Sequence, residues 1–270
     1  MAPAAKENRS TTLVLLSYDE KEALEQLIPR IPFDRFERVF AIDGGSTDGT
    51  LDLYRAHGIP YRVQELRGRG NAFRLAAQIA DTERVVFLST DGNEKPEDLP
   101  TMLRHLDEGY DLVIGGRFIL PGSCSDDSDD PLYLRKIGNI VYSLLVRALW
   151  RSGVWDSING YRGFRLSSMR RLRLDAALHE IELQSTIRAA KLGMRIKEFP
   201  TTELRRLGGE RKATAGTFTL GWRLGRSLLR EILVHNRFVR AGREVPAVTG
   251  PDAVQIAVEP EEDRSATNVV

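Results

Sequence analysis

The chain has 270 residues, 41% of them hydrophobic and 29% charged, with a formal net charge of +1. That length holds one large α/β domain with a full core or two small ones, the composition is that of a globular protein, and so small a net charge gives no overall pull toward nucleic acid. Cys124 is the only cysteine, which excludes an internal disulfide and a cysteine-rich metal centre.

The opening residues lack the apolar stretch of a signal peptide, and no run reaches the roughly 18 apolar residues of a membrane span, so a cytoplasmic location is expected. Thr12 to Leu16 is a short β-rich apolar run. Glu20 to Ile31 then carries Ala23, Leu24, Leu27 and Ile28 at the spacing of a helix face. Arg38 to Ile42 repeats the strand signal, and the turn-rich Asp43 to Thr50 can cap a helix over about 50–57. Tyr61 to Val63 reads as a strand, 71–80 as a helix, and Arg84 to Leu88 as a strand running into Ser89-Thr90-Asp91-Gly92-Asn93. Pro96 opens a helix over about 97–106, and Asp111 to Gly115 is a fifth strand. Such alternation predicts a mostly parallel sheet with helices on both faces.

Beyond residue 117 the pattern is less regular. The loop from Pro121 to Pro131 carries Asp126, Asp127, Asp129 and Asp130 without the spacing of a calcium loop, and reads as solvated. Leu134 to Trp150 reads as a helix whose Leu/Val stripe belongs to the core, as do Met169 and Met194. His57, His105 and His235 show no metal-ligand spacing. Charge is uneven at the end of the chain: nine Lys/Arg against three Asp/Glu over 203–240, then two against six over 241–270. Within 217–240, Phe218, Trp222, Leu229 and Leu233 alternate with Arg223, Arg226 and Arg230, a pattern that suits either packing on the domain or contact with an anionic membrane surface. Residues 241–270 lack periodicity and read as a disordered tail.

In open parallel sheets ligands bind beyond the carboxyl ends of the strands, where three polar clusters fall: Tyr18-Asp19-Glu20, Asp43-Gly44-Gly45 and Ser89 to Asn93. Alone, Asp43 reads equally well as a helix cap and Asp91-Gly92 as an ordinary turn. Three clusters at one sheet edge point to a single cleft.

The segments around these clusters resemble the family 2 glycosyltransferases. Tyr18-Asp19-Glu20 is similar to the family's Tyr-Asn-Glu, and Asp43-Gly44-Gly45-Ser46-Thr47-Asp48-Gly49-Thr50 to its Asp-Asp-Gly-Ser-Thr-Asp-Gly-Thr. Gly115-Gly116-Arg117-Phe118 resembles Gly-Ser-Arg-Phe, and Asp156 to Arg165 resembles Asp-x-x-Ser-Gly-Phe-Arg-x-Phe. His179 to Leu183 and Arg205 to Lys212 track the dolichol-phosphate mannosyltransferase-like branch. The resemblance implies a GT-A fold over residues 1–240, with a nucleotide-binding half at about 12–117 and an acceptor half at about 118–240. It implies inverting transfer from a UDP- or GDP-sugar to a polyprenyl phosphate, carried out by a peripheral enzyme at a membrane surface.

By the same resemblance Tyr18, Glu20 and Asp43 would meet base and ribose, while Arg69, Ser89, Arg117, Arg162, Arg206, Arg211 and Lys212 would bind donor or acceptor. Asp91, Asp156 and Glu182 would be the catalytic carboxylates. Mg²⁺ or Mn²⁺ would sit at Asp91 and Asn93. The sequence departs from the family at the metal motif, where Ser89 replaces the first carboxylate. Magnesium often takes only one or two protein carboxylates and completes its shell with substrate phosphates, so a metal site is still expected. Two other readings stand beside this one: a family 2 enzyme with a hydroxyl acceptor, and a nucleotide-sugar-binding protein without catalysis.

Overall fold

The central strands alternate strictly between two cores. In β1 (Thr11–Ser17), Leu13 and Leu15 enter one cluster while Val14 and Leu16 enter another; in β4 (Arg84–Ser89), Val86 and Leu88 face one way and Val85 and Phe87 the other. Strands buried on both faces need such continuous apolar runs, which is why they were conspicuous in the sequence. The computed structural model describes residues 10–126, 132–208 and 217–234.

β2 (Arg38–Asp43), β3 (Tyr61–Val63), β5 (Leu112–Gly116), β6 (Arg162–Arg165) and β7 (Ile196–Pro200) complete a seven-stranded sheet of order β3-β2-β1-β4-β6-β5-β7. All neighbouring pairs are parallel except those of β6, which runs antiparallel to β4 and β5. The expected mostly parallel α/β sheet is therefore present. The reversal of β6 puts its first residues, rather than its last, at the edge where the parallel strands end, so the 156–161 loop reaches the same cleft.

On one face, α1 (Lys21–Leu27), α2 (Thr50–Ala56) and α4 (Leu99–Asp107) contribute Leu24, Leu27, Tyr54, Leu99, Met102 and Leu106. On the other, α3 (Arg69–Ile79), α6 (Leu166–Arg171) and α7 (Glu180–Lys191) contribute Phe73, Ala76, Leu166, Met169 and Ile181. Phe73 stacks on Phe87 at 3.9 Å between centroids, with Phe164 edge-on to Phe87 at 6.1 Å. The helix read over 20–31 is shorter than expected: α1 gives way to a 3₁₀ turn at Ile28–Arg30, because Pro29 has no N–H to extend the α ladder.

α5 (Leu134–Trp150) and α8 (Thr217–Val234) pack with α7 around Val146, Leu183, Ile187, Leu224 and Leu228. Here the expectation of a core stripe on α5 fails. Asn139, Ser143 and Val146 are its buried residues, while Ile137, Val141, Leu144, Leu145 and Leu149 face outward. α8 likewise exposes Phe218, Trp222, Leu229 and Leu233. Beyond Leu224 and Leu228 it is held through a buried charge. Glu231, fully buried, accepts from Arg188 Nε at 2.9 Å and Lys191 Nζ at 2.9 Å, both on α7.

Removing one member of such a network strands the others without compensation, at about 3–5 kcal/mol. Glu231→Ala is therefore expected to lower unfolding free energy by about that amount in urea titrations. A loss below about 1 kcal/mol would show that the network does not anchor α8.

Candidate active site

The carboxyl ends of β1, β2, β4 and β5 open into a cleft of about 1020 Å³, whose far wall includes Arg135 of α5 and Leu220 and Arg223 of α8. Its floor is organised by Arg69, the first residue of α3. Arg69 donates through Nε to Glu182 of α7 and through Nη1 to Ser89 Oγ at 3.0 Å, and Nη2 lies 3.5 Å from Glu94 Oε1. Burial opposes the charge of this guanidinium, but Glu182 and Glu94 more than offset it and hold its pKa above the ordinary arginine value.

Two glycines make this position available. Gly68 has φ +136°, and a Cβ there would run into the carbonyl of Ala177, so the chain enters α3 only as glycine. A Cβ at Gly160 would collide with the Arg69 guanidinium itself.

At the β1 edge, Tyr18 lines the cleft and receives Arg67 both as a hydrogen bond to its hydroxyl, 3.0 Å, and as a cation over its ring at 5.0 Å. Glu20 is paired with Arg206, whose Nη1 also lies 3.6 Å from Asp91 Oδ2. The segment carrying Arg206 is strapped over the loop after β4 by Leu204 N to Asn93 O, 2.8 Å, and Leu207 N to Asp91 O, 3.1 Å. Asp91 Oδ1 in turn accepts from Asn93 N at 3.1 Å. Tyr18, Glu20, Arg69, Ser89, Asp91 and Asn93 thus meet at one cleft, and Arg117, Glu182 and Arg206 line it as well. Arg211 and Lys212 lie outside the described residues, as does the 241–270 tail.

Three of the expected site residues are buried and do not line the cleft. Asp43 is fully buried, and its carboxylate accepts from Gly45 N (2.8 Å), Ser46 N (2.6 Å), Ser17 Oγ (2.9 Å) and Ser46 Oγ (2.6 Å). With its lone pairs committed in this way it shapes the loop after β2. Arg162 is also fully buried, donating to the carbonyls of Asn159 and Glu182 and to Ser185 Oγ. Burial pulls its pKa down to about 10, and it ties β6 to α7 without reaching the cleft.

Asp156, the expected catalytic carboxylate, is fully buried too. It accepts Arg117 Nε at 2.8 Å and Nη2 at 3.2 Å, together with the backbone N–H groups of Arg117 and Asn159. Its work is to aim Arg117, which Glu203 also holds at 3.2 Å. Burial disfavours the Arg117 charge, but these two carboxylates keep its pKa above the usual value.

The carboxylate that sequence reasoning missed is Glu94. It accepts Ser89 N at 2.6 Å and Ser89 Oγ at 3.0 Å, and it lines the cleft. Burial drives its pKa up to about 7, against the pull of Arg69. No sequence signal marked it, since Glu94-Lys95-Pro96 has the composition of a solvated turn.

Residues 12–173 match the family described as glycosyl transferase family 2. The chain belongs to this family. Among its members, the glycosyltransferase AglJ of Haloferax volcanii is 32% identical over 69% of this chain and 60% of its own length, so the chain spans less than two thirds of that relative. A dolichyl-phosphate hexose transferase of the same organism is 30% identical over 82% of this chain and 93% of the relative. Glucosyl-3-phosphoglycerate synthase of Mycobacterium tuberculosis, solved with Mn²⁺ and UDP-glucose, superposes with a TM-score of 0.64 at 21% identity, covering 84% of this chain and 80% of that one. The fold is the GT-A fold of these transferases.

A second buried acid gives the family 2 scaffold a pH dependence. Glu198 on β7 accepts Trp155 N at 2.7 Å through Oε2, while its buried Oε1 has no hydrogen-bond partner among the described residues. Burial, with the charge of Asp156 adding, raises its pKa from 4.5 to about 7. The folded state therefore prefers the neutral acid: the contribution is complete below about pH 4.5 and is lost as pH rises through about 7. Glu198→Gln should flatten the fall in melting temperature between pH 5 and pH 8. Parallel wild-type and variant profiles would contradict the assignment.

Proposed function

We propose that this protein transfers a sugar, with inversion, from a nucleotide diphosphate sugar to a polyprenyl phosphate, with Mg²⁺ or Mn²⁺ at Asp91 and Asn93. The observation that carries the reading is the cleft's composition: donor-side clusters at the ends of β1 and β4 face a wall bearing Arg135 and Arg223. The two helices of that wall turn Ile137, Val141, Leu149, Trp222 and Leu229 outward. Cations inside and apolar side chains outside suit an acceptor with a phosphate head and a lipid tail, presented at the cytoplasmic face of a membrane. No described helix is long and apolar enough to cross a membrane. The relative named for dolichyl phosphate supports the same acceptor class.

The metal fits what the residues offer. Among the described residues no three His, Cys, Asp or Glu side chains gather as a closed metal site. An open site of carboxylate and amide oxygens completed by substrate phosphates is the arrangement magnesium favours. Glu182 pairs with Arg69 through Oε1, while its buried Oε2 has no hydrogen-bond partner among the described residues and keeps acceptor capacity beside the cleft. When bound, the ion offsets charge building on the departing diphosphate.

The protein's residues do the rest by positioning. Arg69 keeps the β4 end and α7 in register, Arg117 is aimed by Asp156, and the cations of the far wall hold the acceptor phosphate. That phosphate has a second pKa near about 6, so an ionised oxygen attacks the anomeric carbon as the bond to the diphosphate breaks, without prior proton removal.

One observation favours a hydroxyl acceptor instead. Glu182 lines the cleft with an unpaired Oε2, where a general base would stand. Purified protein given UDP- and GDP-sugars, Mn²⁺, and either a short polyprenyl phosphate or the matching alcohol separates the readings. Transfer to the phosphate, with a product of inverted anomeric configuration and complete loss in Asp91→Ala, is expected. Transfer to the alcohol alone would overturn the proposal.

A further inference from the structure

The place where the chain departs from its family is the place where the structure supplies an unexpected group. At position 89, the end of β4, stands the serine that the motif resemblance sets in place of a carboxylate. Gly92, at φ +82°, reverses the chain immediately afterwards and returns Glu94 to the strand end. There the Glu94 carboxylate takes Ser89 N on Oε2 and Ser89 Oγ on Oε1. A carboxylate borne by residue 89 would project along the direction of that Oγ, into the space the Glu94 carboxylate fills.

The two positions are complementary. A serine hydroxyl donates to Glu94, whereas an aspartate there would set two carboxylates against each other. Each Glu94 oxygen uses one lone pair on Ser89 and retains further acceptor capacity. Arg69 is shared between the two acids, with Nη2 3.5 Å from Glu94 Oε1 and Nε on Glu182, so it takes up only one side of the Glu94 carboxylate. Glu94, Asp91 and Asn93 all line the same cleft, on a loop of four residues.

We infer that Glu94 carries the metal-binding carboxylate that Ser89 lacks, so that the ion is held by Asp91, Asn93 and Glu94. This inference rests on the metal-dependent reading above but does not follow from it, since Asp91 and Asn93 with substrate phosphates satisfy that reading alone. A purely structural Glu94 would instead cap the end of β4 and brace Arg69.

Mn²⁺ binding to the nucleotide-free protein, followed by loss of the free-ion electron paramagnetic resonance signal, distinguishes these roles without turnover. Glu94→Gln is expected to weaken Mn²⁺ by at least tenfold. Glu94→Asp, which keeps the charge but withdraws it by one methylene, is expected to weaken it as well. The decisive variant is Ser89→Asp combined with Glu94→Gln: it returns the carboxylate to the strand end and should restore affinity to within about threefold of wild type. Circular dichroism and melting temperature establish that each variant is folded.

Wild-type Mn²⁺ affinity in Glu94→Gln, with affinity lost in Asp91→Ala, would overturn the inference and leave the metal-dependent reading standing. Absence of rescue in the folded double variant would also overturn it, assigning Glu94 to bracing. Unchanged affinity in both Asp91→Ala and Glu94→Gln would remove the metal site itself.

Discussion

The guanidinium of Arg69 is the point on which the cleft depends. One side chain joins the end of β4 through Ser89, the loop after β4 through Glu94, and α7 through Glu182. α7 lies far from the other two in sequence, with Glu182 113 positions from Arg69, and no strand pairing connects it to β4. A planar fork with donors in fixed directions is preorganised to satisfy three such partners together, where an ammonium on a flexible stem would lose more freedom in doing so. The arrangement is kept by backbone with no room for substitution: glycine at 68 lets α3 begin where it does, and glycine at 160 leaves space for the guanidinium.

Around that point the polar residues divide into those that face the cleft and those that hold others. Asp43 organises the loop after β2, Asp156 aims Arg117, and Arg162 ties β6 to α7. Each is buried with its hydrogen-bonding capacity used inside the protein. In a low-dielectric interior a charged group without such partners would be strongly disfavoured, so full satisfaction is the condition for their presence. What remains on the cleft surface is alternating charge, with Glu20, Asp91, Glu94 and Glu182 among arginines. Such a surface suits a substrate carrying both phosphates and a divalent ion better than it suits a simple anion.

Much of this was legible in the sequence, for reasons that can be named. β1, β2 and β4 are continuous apolar runs because they are buried on both faces, and the polar clusters at their ends mark the edge where ligands bind in parallel sheets. β6 was not legible as a strand: it has four residues and begins and ends in arginine, with Arg162 satisfied by carbonyls and hydroxyls up to 24 positions away. Nor was the division of labour among carboxylates, because the Asp156–Arg117 pair spans 39 positions. Glu94 was invisible because its role comes from a chain reversal at Gly92 rather than from spacing. The outward stripe of α5 misled for a different cause. Apolar periodicity shows that a helix has an apolar face, but not whether protein or something else covers it.

The claim that Arg69 unites the donor and acceptor sides of one cleft is tested most directly by steady-state kinetics of Arg69→Gln and Arg69→Lys with both substrates varied. The account predicts that Arg69→Gln raises KM for nucleotide sugar and for acceptor together and lowers kcat/KM by about 100-fold or more, as losing a preorganised charged donor does. Arg69→Lys should recover only a small part, because it restores the charge without the fork. A defect confined to the nucleotide sugar, with acceptor KM unchanged, would contradict the account and reduce Arg69 to a donor-phosphate ligand.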